Sequence, residues 1–415
     1  MNFTANYFER YNSYSAFITE NPNPDTNLIV VIPCYRDEFI FKTLDSLFAN
    51  NITEVNVEII VVVNFSVDDN ENTKQLNRNI YNQLKDYKKT FIDSKIRIYP
   101  IIIEDVPKKH AGVGNARKAG MDEAARRFEK INNPFGIIVS LDADTLVHKD
   151  YLKETEKSFE NNKNQGACLI QFEHDFDASV YEKEVITAAK YYELYLRYFR
   201  LALKLTGFPY PYHTIGSCFA VTAETYVKAG GMSRRQGGED FYFIHKIAPL
   251  TKIGVVNKKL VYPSPRVSDR VPFGTGPSVK KIINEKKYMV YNFDAFIRLK
   301  EFFGTFDELY AKTNDAIDEI PKIIKDYYGK EKIIEIINEC KVNTNSLSNF
   351  KKRMFSNFNA FFIIKFLNSL SNHNLLMPED VLLCSQKLLK YYNFSPENND
   401  IKGIYQNIIN LDVLH

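Results

Sequence analysis

The sequence lacks several features that would point directly to a class of protein. No apolar run reaches the length of a membrane span, and the N-terminus carries no basic and apolar leader. The formal net charge of only +3 over 415 residues gives no electrostatic case for bulk nucleic-acid binding. We therefore expect partners to be recognised at specific sites, with no nucleic acid among them.

Cysteine is also scarce, and its placement excludes a zinc ribbon or a thiol-redox motif. The five cysteines form no C-x-x-C pair and stand mostly within apolar runs. They are Cys34, Cys168, Cys218, Cys340 and Cys384. This pattern predicts small core residues in a protein of the reducing cytoplasm.

The overall composition is that of a globular protein, with 45% hydrophobic and 25% charged residues. The chain is longer than one typical domain, so we expect one large domain with an appendage. We predict an N-terminal lead-in at residues 1–26, an α/β domain at residues 27–275 and an all-helical domain at residues 276–415.

Within the large domain, short apolar runs alternate with helical patterns, which predicts a mostly parallel sheet flanked by helices. The predicted strands are residues 28–32, 57–63, 96–103 and 137–141, with later strands at 167–172, 217–222 and 253–256. The predicted helices are residues 37–49, 70–87, 114–128, 149–161 and 181–205. From about residue 278 strand patterns vanish and helical patterns take over.

The most informative stretch is the apolar run that ends in Asp142-Ala143-Asp144. A buried strand of an open α/β sheet ends at the edge where such sheets bind ligands. Two carboxylates there repel each other unless a cation lies nearby, and hard oxygen ligands suit Mg²⁺ or Mn²⁺. The pair therefore predicts a site where a divalent metal ion binds a phosphate ester. The alternative is an ordinary acidic turn at a strand end.

Other polar residues follow the neighbouring strands. Pro33 and Glu38 lie after the first strand, and Asn64 ends the second. Gly114 and Arg117 open the third helix, where backbone N–H groups and a guanidinium could approach an anion. Ordinary strand ends and helix caps would use the same residue types.

In this order and spacing, the motifs resemble those of the family-2 glycosyltransferases with the GT-A fold, over roughly residues 27–275. The resemblance is carried by Val31-Ile32-Pro33-Cys34-Tyr35 with Glu38, Asn64-Phe65-Ser66, Gly114 to Gly120, Asp142-Ala143-Asp144, Gly216-Ser217 followed by Gly230-Gly231, and Gly237-Gly238-Glu239-Asp240. It implies an α/β, GT-A-type mixed and mostly parallel sheet flanked by helices, followed here by the helical C-terminal domain.

The resemblance also implies roles for individual residues. Binding of the nucleotide sugar falls to Pro33, Tyr35, Glu38, Asn64, Arg117 and Asp142. Asp144, with Asp142, would hold Mn²⁺ or Mg²⁺ on the diphosphate, and Glu239 or, preferably, Asp240 would be the catalytic base. Gly216, Ser217 and Gly238 would shape the acceptor side.

The sequence departs from the family pattern at two places. Val63-Asn64 stands where the family often has two aspartates, which weakens the expectation of a uracil base. Pro263 follows Val261-Tyr262 where the family commonly has a histidine that can join the metal. The metal's remaining protein ligand is therefore open.

The loop that follows carries Arg266 and Arg270. They could clamp the diphosphate when the loop closes, or the loop could simply tether the C-terminal domain in solvent. His213 and His245 are candidate substitutes for the missing metal ligand, and a structural role is the alternative for both.

Two aromatic segments allow two interpretations each. Residues 191–199 could flank a sugar acceptor, although packing in the interior fits their spacing better. Residues 354–366 could form a helix on a membrane surface, but their few charges favour a buried helix of the C-terminal domain.

We therefore predict an inverting glycosyltransferase of polysaccharide or glycoconjugate synthesis. It would move a sugar from a nucleotide-diphosphate sugar to a hydroxyl of a saccharide or glycolipid acceptor, in the cytoplasm, with at most peripheral attachment to the inner face of the membrane. The alternatives are an inactive sugar-nucleotide or carbohydrate-binding protein of the same fold, a Mg²⁺-dependent phosphatase and a sugar nucleotidyltransferase. The motif of such phosphatases has Thr or Val at the position of Leu146. A nucleotidyltransferase normally has a basic, glycine-rich loop after the first strand, and this sequence has none there.

Overall fold

The computed structural model describes residues 3–11, 14–51, 54–90, 94–160, 164–312, 316–394 and 400–414. Residues 1, 161 and 415, at which predicted segments begin or end, lie outside the described residues. The chain divides into two compact units. Unit 1 comprises Met1–Ala189 and Thr214–Lys280, and unit 2 comprises Lys190–His213 and Lys281–His415.

Unit 1 is built on one sheet of eight strands. These are β1 (Thr26–Cys34), β2 (Asn56–Ser66), β3 (Ile96–Val106), β4 (Ile137–Ser140), β5 (Thr145–Val147), β6 (Gln165–Phe172), β7 (Phe219–Thr222) and β8 (Lys252–Pro263). Their order across the sheet is β3-β2-β1-β4-β7-β6-β8-β5. The β3-β2-β1-β4 half and the β6-β8 pair are parallel, whereas β7 runs antiparallel to β4 and β6, and β5 to β8. The predicted mixed, mostly parallel sheet is confirmed.

Helices cover this sheet because its strands are apolar on both faces. Unit 1 contains, in whole or in part, α1 (Ala5–Tyr11), α2 (Ile40–Phe48), α3 (Glu71–Thr90), α4 (Val113–Lys130), α5 (Tyr151–Glu160), α6 (Lys183–Leu205), α7 (Ala223–Lys228), α8 (Glu239–Ile247) and α9 (Thr275–Glu285), and a 3₁₀ turn spans Lys108–His110. Helices α2, α3, α4, α5 and α7 pack against strands of the sheet. The boundary between the two units passes through α6 and α9.

The N-terminal segment is connected by hydrogen bonds to α4, the helix that carries Arg117. Tyr7 donates from its hydroxyl to Asp122 Oδ1 over 2.6 Å, and Lys118 Nζ lies 2.9 Å from Asp122 Oδ2. The backbone N–H of Phe17 donates to a carboxylate oxygen of α4 as well, over 3.0 Å. Because these polar groups are buried and paired, they hold α4 in one position against the rest of unit 1.

Unit 2 is mainly helical. Besides the shared helices it contains α10 (Phe293–Gly304), α11 (Phe306–Ala311), α12 (Lys322–Tyr328), α13 (Lys330–Val342), α14 (Leu347–Asn357), α15 (Ala360–Asn372), α16 (Val381–Tyr391) and α17 (Ile401–Leu414). Two short strands, β9 (Met289–Val290) and β10 (Glu379–Asp380), pair antiparallel. The expectation that strands vanish after residue 278 is wrong for this pair, since two-residue strands leave no periodicity to detect.

The apolar segment at residues 354–366 forms parts of two helices rather than one. Asn359 separates them, because its side-chain oxygen accepts hydrogen bonds from the N–H groups of Phe361 (3.0 Å) and Phe362 (3.2 Å) and thereby begins α15. Phe358 and Phe362 are buried, with ring centroids 5.0 Å apart. The segment therefore contributes to the interior of unit 2. No helix within the described ranges combines the length and the apolar character needed to cross a membrane.

The aromatic stretch of α6 also packs inside unit 2. The ring of Tyr198 is buried and stands edge-on to Phe296 at 5.8 Å. The ring of Tyr195 stands edge-on to Tyr288 at 5.4 Å. This is the interior packing that the spacing favours. All five cysteines are buried, as their apolar surroundings predict.

Candidate active site

The parallel half of the sheet brings several polar side chains to one edge. Asp37 follows β1, Asn64 lies near the end of β2, and Asp142 follows β4. The carboxyl ends of parallel strands share an edge, so chain segments far apart in sequence meet there. Two clusters of charged side chains form at this edge.

The first cluster is centred on Arg117, which is 1% exposed. Its Nε donates to Glu239 Oε1 over 3.0 Å and its Nη2 donates to Asp142 Oδ1 over 2.7 Å. Its Nη1 donates to the carbonyl of Gly216 over 3.2 Å and to the Ser140 hydroxyl. Burial alone would lower the pKa of Arg117, but the nearby carboxylates outweigh burial and raise it. Arg117 is therefore a permanent cation that joins Asp142 to Glu239.

Gly216 and Ser217 complete this cluster. A Cβ atom on Gly216 would lie 2.6 Å from Arg117 Nη2, so a larger residue here would displace the buried guanidinium. The Ser217 hydroxyl donates to Asp142 Oδ2 and lies 3.2 Å from the Thr145 hydroxyl. Two of the three residues predicted on the acceptor side thus contact Arg117 or Asp142 directly.

The acid pair Glu239-Asp240 opens α8. Gly238 precedes it with a φ of 70°, a left-handed conformation that favours glycine. Glu239 is buried on Arg117, whereas Asp240 is half-buried and accepts the N–H of Phe241 over 2.7 Å. Burial and the adjacent Glu239 charge raise the pKa of Asp240 to about 7. This carboxylate can therefore accept a proton near neutral pH.

The second cluster joins two aspartates to two arginines. Arg266 Nη2 and Arg270 Nη2 lie 3.1 Å and 2.6 Å from Asp144 Oδ2. Both guanidinium groups also pair with Asp37 Oδ2, and the Asp37 side chain is 0% exposed. Burial and Asp37 outweigh the arginines and raise the pKa of Asp144. The two arginines predicted to bind the diphosphate thus form ion pairs with Asp144, the predicted metal ligand.

Sequence reasoning missed Asp37 and named its neighbour Glu38 instead. The structure buries Asp37 and leaves Glu38 exposed. The only available signal was an acidic pair after a strand end, and the sequence does not indicate which member turns inward. The contact with Arg266 and Arg270 identifies Asp37 as part of the site.

The arrangement of donor atoms limits how a divalent cation could bind. Asp142 uses Oδ1 for Arg117 and Oδ2 for Ser217, while both arginine contacts of Asp144 go to Oδ2. Within the described ranges, no group of three or more His, Cys, Asp or Glu side chains is arranged to hold a metal. An ion bound through Asp144 Oδ1 fits only where phosphate oxygens and water complete its shell, a common mode for Mg²⁺.

The two candidate histidines each have contacts of their own. His245 packs against Phe241 at 4.6 Å between ring centroids, and burial lowers the pKa of His245 to about 4. His213 belongs to unit 2, where its Nε2 lies 3.4 Å from Asp412 Oδ2.

The remaining predicted binding residues surround the ends of β1 and β2. Pro33 is buried near the end of β1. The Tyr35 hydroxyl donates to Asp69 over 3.0 Å, and burial with this contact raises the pKa of Tyr35 to about 12. Asn64 donates from Nδ2 to the carbonyl of Gly112 over 3.1 Å. Asn64 therefore links β2 to the start of α4.

Comparison with known proteins gives one family match. Residues 29–224 match the family model described as glycosyl transferase family 2. No curated protein matches the sequence. Among solved structures, the chain is similar to S. aureus TarS 1-349 in complex with UDP-GlcNAc, with 14% identity, 80% of this chain and 92% of that chain covered, and a TM-score of 0.41. It is similar to the mannosyltransferase PcManGT from Pyrobaculum calidifontis in complex with GDP-Man and Mn2+, with 13% identity, 99% and 96% of the chains covered, and a TM-score of 0.36.

Proposed function

Residues 29–224 belong to glycosyl transferase family 2, and from this premise we propose that the chain is an inverting glycosyltransferase. It moves a sugar from a nucleotide-diphosphate sugar to a hydroxyl of a saccharide or glycolipid acceptor in polysaccharide or glycoconjugate synthesis. The observation that carries the proposal is the contact of buried Arg117 with both Asp142 and Glu239. This contact brings the acidic turn after β4 and the acid pair of α8 to one place.

We assign the catalytic base to Asp240. In a single displacement the acceptor oxygen bonds to the anomeric carbon, the bond from that carbon to the phosphate oxygen breaks, and the hydroxyl proton passes to a carboxylate. Glu239 is engaged by Arg117, whereas Asp240 is half-buried with a raised pKa of about 7. Asp240 is therefore the member of the pair suited to take the proton at neutral pH.

We assign the binding of the leaving nucleoside diphosphate to the second cluster of charged side chains. A divalent cation held by Asp144 Oδ1 would neutralise charge on the diphosphate as a Lewis acid. Arg266 and Arg270 would donate to phosphate oxygens, and Arg266 Nε is already a buried donor with no hydrogen-bond partner in the part of the chain that the structure describes. An unmade hydrogen bond of this kind favours a ligand that supplies the acceptor.

We further assign the nucleotide pocket and the domain limits by the same family pattern. The pocket for base and ribose consists of Pro33, Tyr35, Glu38, Asn64, Arg117 and Asp142. Gly216, Ser217 and Gly238 lie on the acceptor side. The transferase domain spans residues 27–275, preceded by the lead-in at 1–26 and followed by the helical domain at 276–415.

The test is a panel of nucleotide-diphosphate sugars added to the purified full chain with and without Mn²⁺. Ligand at about 100 times its dissociation constant should stabilise the fold by about 2.7 kcal/mol, which raises the unfolding temperature. Release of nucleoside diphosphate from the stabilising donor should then be detected by chromatography. Failure of every nucleoside diphosphate to bind in calorimetry would refute the proposal. Binding without any turnover would favour the inactive sugar-nucleotide-binding protein instead.

A further inference from the structure

Five basic side chains collect on unit 1 next to the acid pair. This basic cluster consists of Lys108, Lys109, His110, Arg234 and Arg235. Two chain segments contribute to it, and Gln236 Nε2 joins them by donating to the carbonyl of Lys108 over 2.7 Å. A Cβ atom on Gly114 would lie 2.2 Å from the carbonyl oxygen of Arg235, so the segments approach closely at the start of α4.

The members of the basic cluster form no ion pair within the residues that the structure describes. The three arginines of the active site, in contrast, are each paired with carboxylates. Slight burial together with the charges of Arg234 and Lys109 lowers the pKa of His110, so these groups are close enough to repel each other. The net charge of the whole chain is only +3, so this local excess does not follow from overall composition.

The cluster adjoins the proposed catalytic base. The guanidinium carbon of Arg235 lies 3.7 Å from the ring centroid of Tyr242. Tyr242 stands on α8, two residues after Asp240. Only the short segment at residues 236–238 separates the arginines from the acid pair in sequence. The cluster therefore lies beside the first turn of α8, the helix that carries Asp240, and is within reach of an extended acceptor whose hydroxyl binds at Asp240.

We propose that the basic cluster binds the acceptor, and that the acceptor is a glycan carrying phosphate or carboxylate groups. This inference rests on the proposed function and names the acceptor class for the same site. Exposed cations without counter-charges attract anions with little desolvation cost and steer them toward the site. A neutral acceptor would leave the permanently charged members of the cluster, which are Lys108, Lys109, Arg234 and Arg235, without a counter-charge.

The test compares two double variants of the full chain. Lys109→Gln with Arg234→Gln removes two charges from the cluster, and Lys153→Gln with Lys157→Gln removes two charges from the exposed surface of α5 as the matched control. The probes are oligogalacturonate, its methyl ester and polyphosphate, each of about 12 units. Their binding is measured by fluorescence anisotropy at about 50 mM NaCl, where charge screening is weak. The methyl ester has the same chain without the charges, and polyphosphate separates phosphate from carboxylate recognition.

We expect at least one charged probe to bind, and the cluster variant to bind it about tenfold more weakly, with the control within about twofold. Binding of the methyl ester as tight as that of the tightest charged probe, or unchanged affinity in the cluster variant, would overturn the inference. So would tighter, cluster-dependent binding of single-stranded DNA or of vesicles containing anionic lipid, which would assign the surface to a nucleic acid or a membrane. Nucleotide binding is measured in the same samples: nucleotide binding without probe binding refutes only the acceptor class, and no nucleotide binding refutes the proposed function.

Discussion

Two arginines in this molecule are equally buried, yet their surroundings differ in a way that separates chemistry from architecture. Arg117 in unit 1 and Arg197 in unit 2 are each 1% exposed, and each joins two carboxylates. The carboxylates are Asp142 and Glu239 for Arg117, and Glu193 and Asp412 for Arg197.

In unit 2 the charges are matched and enclosed. The Asp412 side chain is 0% exposed and also contacts Arg200 and His213. Burial alone would raise the pKa of Asp412, but His213 and the two arginines hold it well below its usual range. This network links α6 to α17. Its acid stays ionised and fixed, which suits a structural role.

In unit 1 the acids are in excess and reach solvent. The Asp142 side chain is 32% exposed, and Asp240 beside the cluster has a raised pKa because of burial and Glu239. A carboxylate that is neither fully paired nor fully enclosed can exchange a proton or bind a ligand. The same kind of buried arginine thus organises a reactive site in one unit and a structural contact in the other.

The largest expected effect comes from removing the base. Asp240→Asn keeps the shape of the side chain but cannot accept a proton, so transfer should fall by about 10²–10⁴-fold. Nucleotide binding measured by calorimetry should remain. The matched control is Asp86→Asn, an exposed acid on α3. Full transfer activity in Asp240→Asn would remove this residue from the mechanism.

The complementary change in unit 2 should act on stability. Asp412→Asn removes the carboxylate shared by buried Arg197 and half-buried Arg200, and we expect a loss of about 3–5 kcal/mol in the free energy of unfolding. Urea unfolding followed by circular dichroism measures it. Asp318→Asn, at an exposed ion pair, is the control and should change stability by at most about 0.5 kcal/mol. Equal stability of both variants would contradict the structural role of the Asp412 network.

Much of the fold was predictable because the strands of the parallel half are short, apolar and bounded by polar residues. Strand β4 was placed at 137–141 and ends at Ser140. Strand β8 was predicted at 253–256 but spans Lys252–Pro263. Its outer part contains exposed lysines, and the sequence pattern there is typical of a loop. The three-residue β5 was missed, since its strand pairing depends on residues more than 100 positions away.

The site was predictable in part for the same reason. Asp142 and Asp144 stand at a strand end, where periodicity indicates the sheet edge. That Arg266 and Arg270 pair with Asp37 is a tertiary contact over more than 200 residues, and no local pattern encodes it. The sequence therefore suggested which residue types carry charge at the site but not which charges neutralise one another.

The pH dependence of transfer tests the excess of acid in unit 1. Because the base must be deprotonated and the pKa of Asp240 is raised to about 7, the rate should rise about tenfold per pH unit below 7 and level off above it. Glu239→Gln removes one cause of the raised pKa, so the midpoint should move to lower pH by about half a unit or more. A midpoint that moves to higher pH, or a rate independent of pH, would contradict the assignment.

The smallest effect should separate the two neighbouring acids after β1. Asp37→Asn removes one of the two carboxylates that hold Arg266 and Arg270, so they are less well positioned for the diphosphate, and KM for the donor should rise about fivefold with a smaller change in kcat. Glu38→Gln alters an exposed side chain and should raise KM by about twofold at most. Thermal unfolding of both variants controls for loss of fold, and Asp37→Glu should restore part of the donor affinity if its charge positions the arginines. A larger KM effect at Glu38 than at Asp37 would return the nucleotide contact to Glu38 and reduce Asp37 to an internal ion pair, which would make the second cluster of unit 1 resemble the Asp412 network of unit 2.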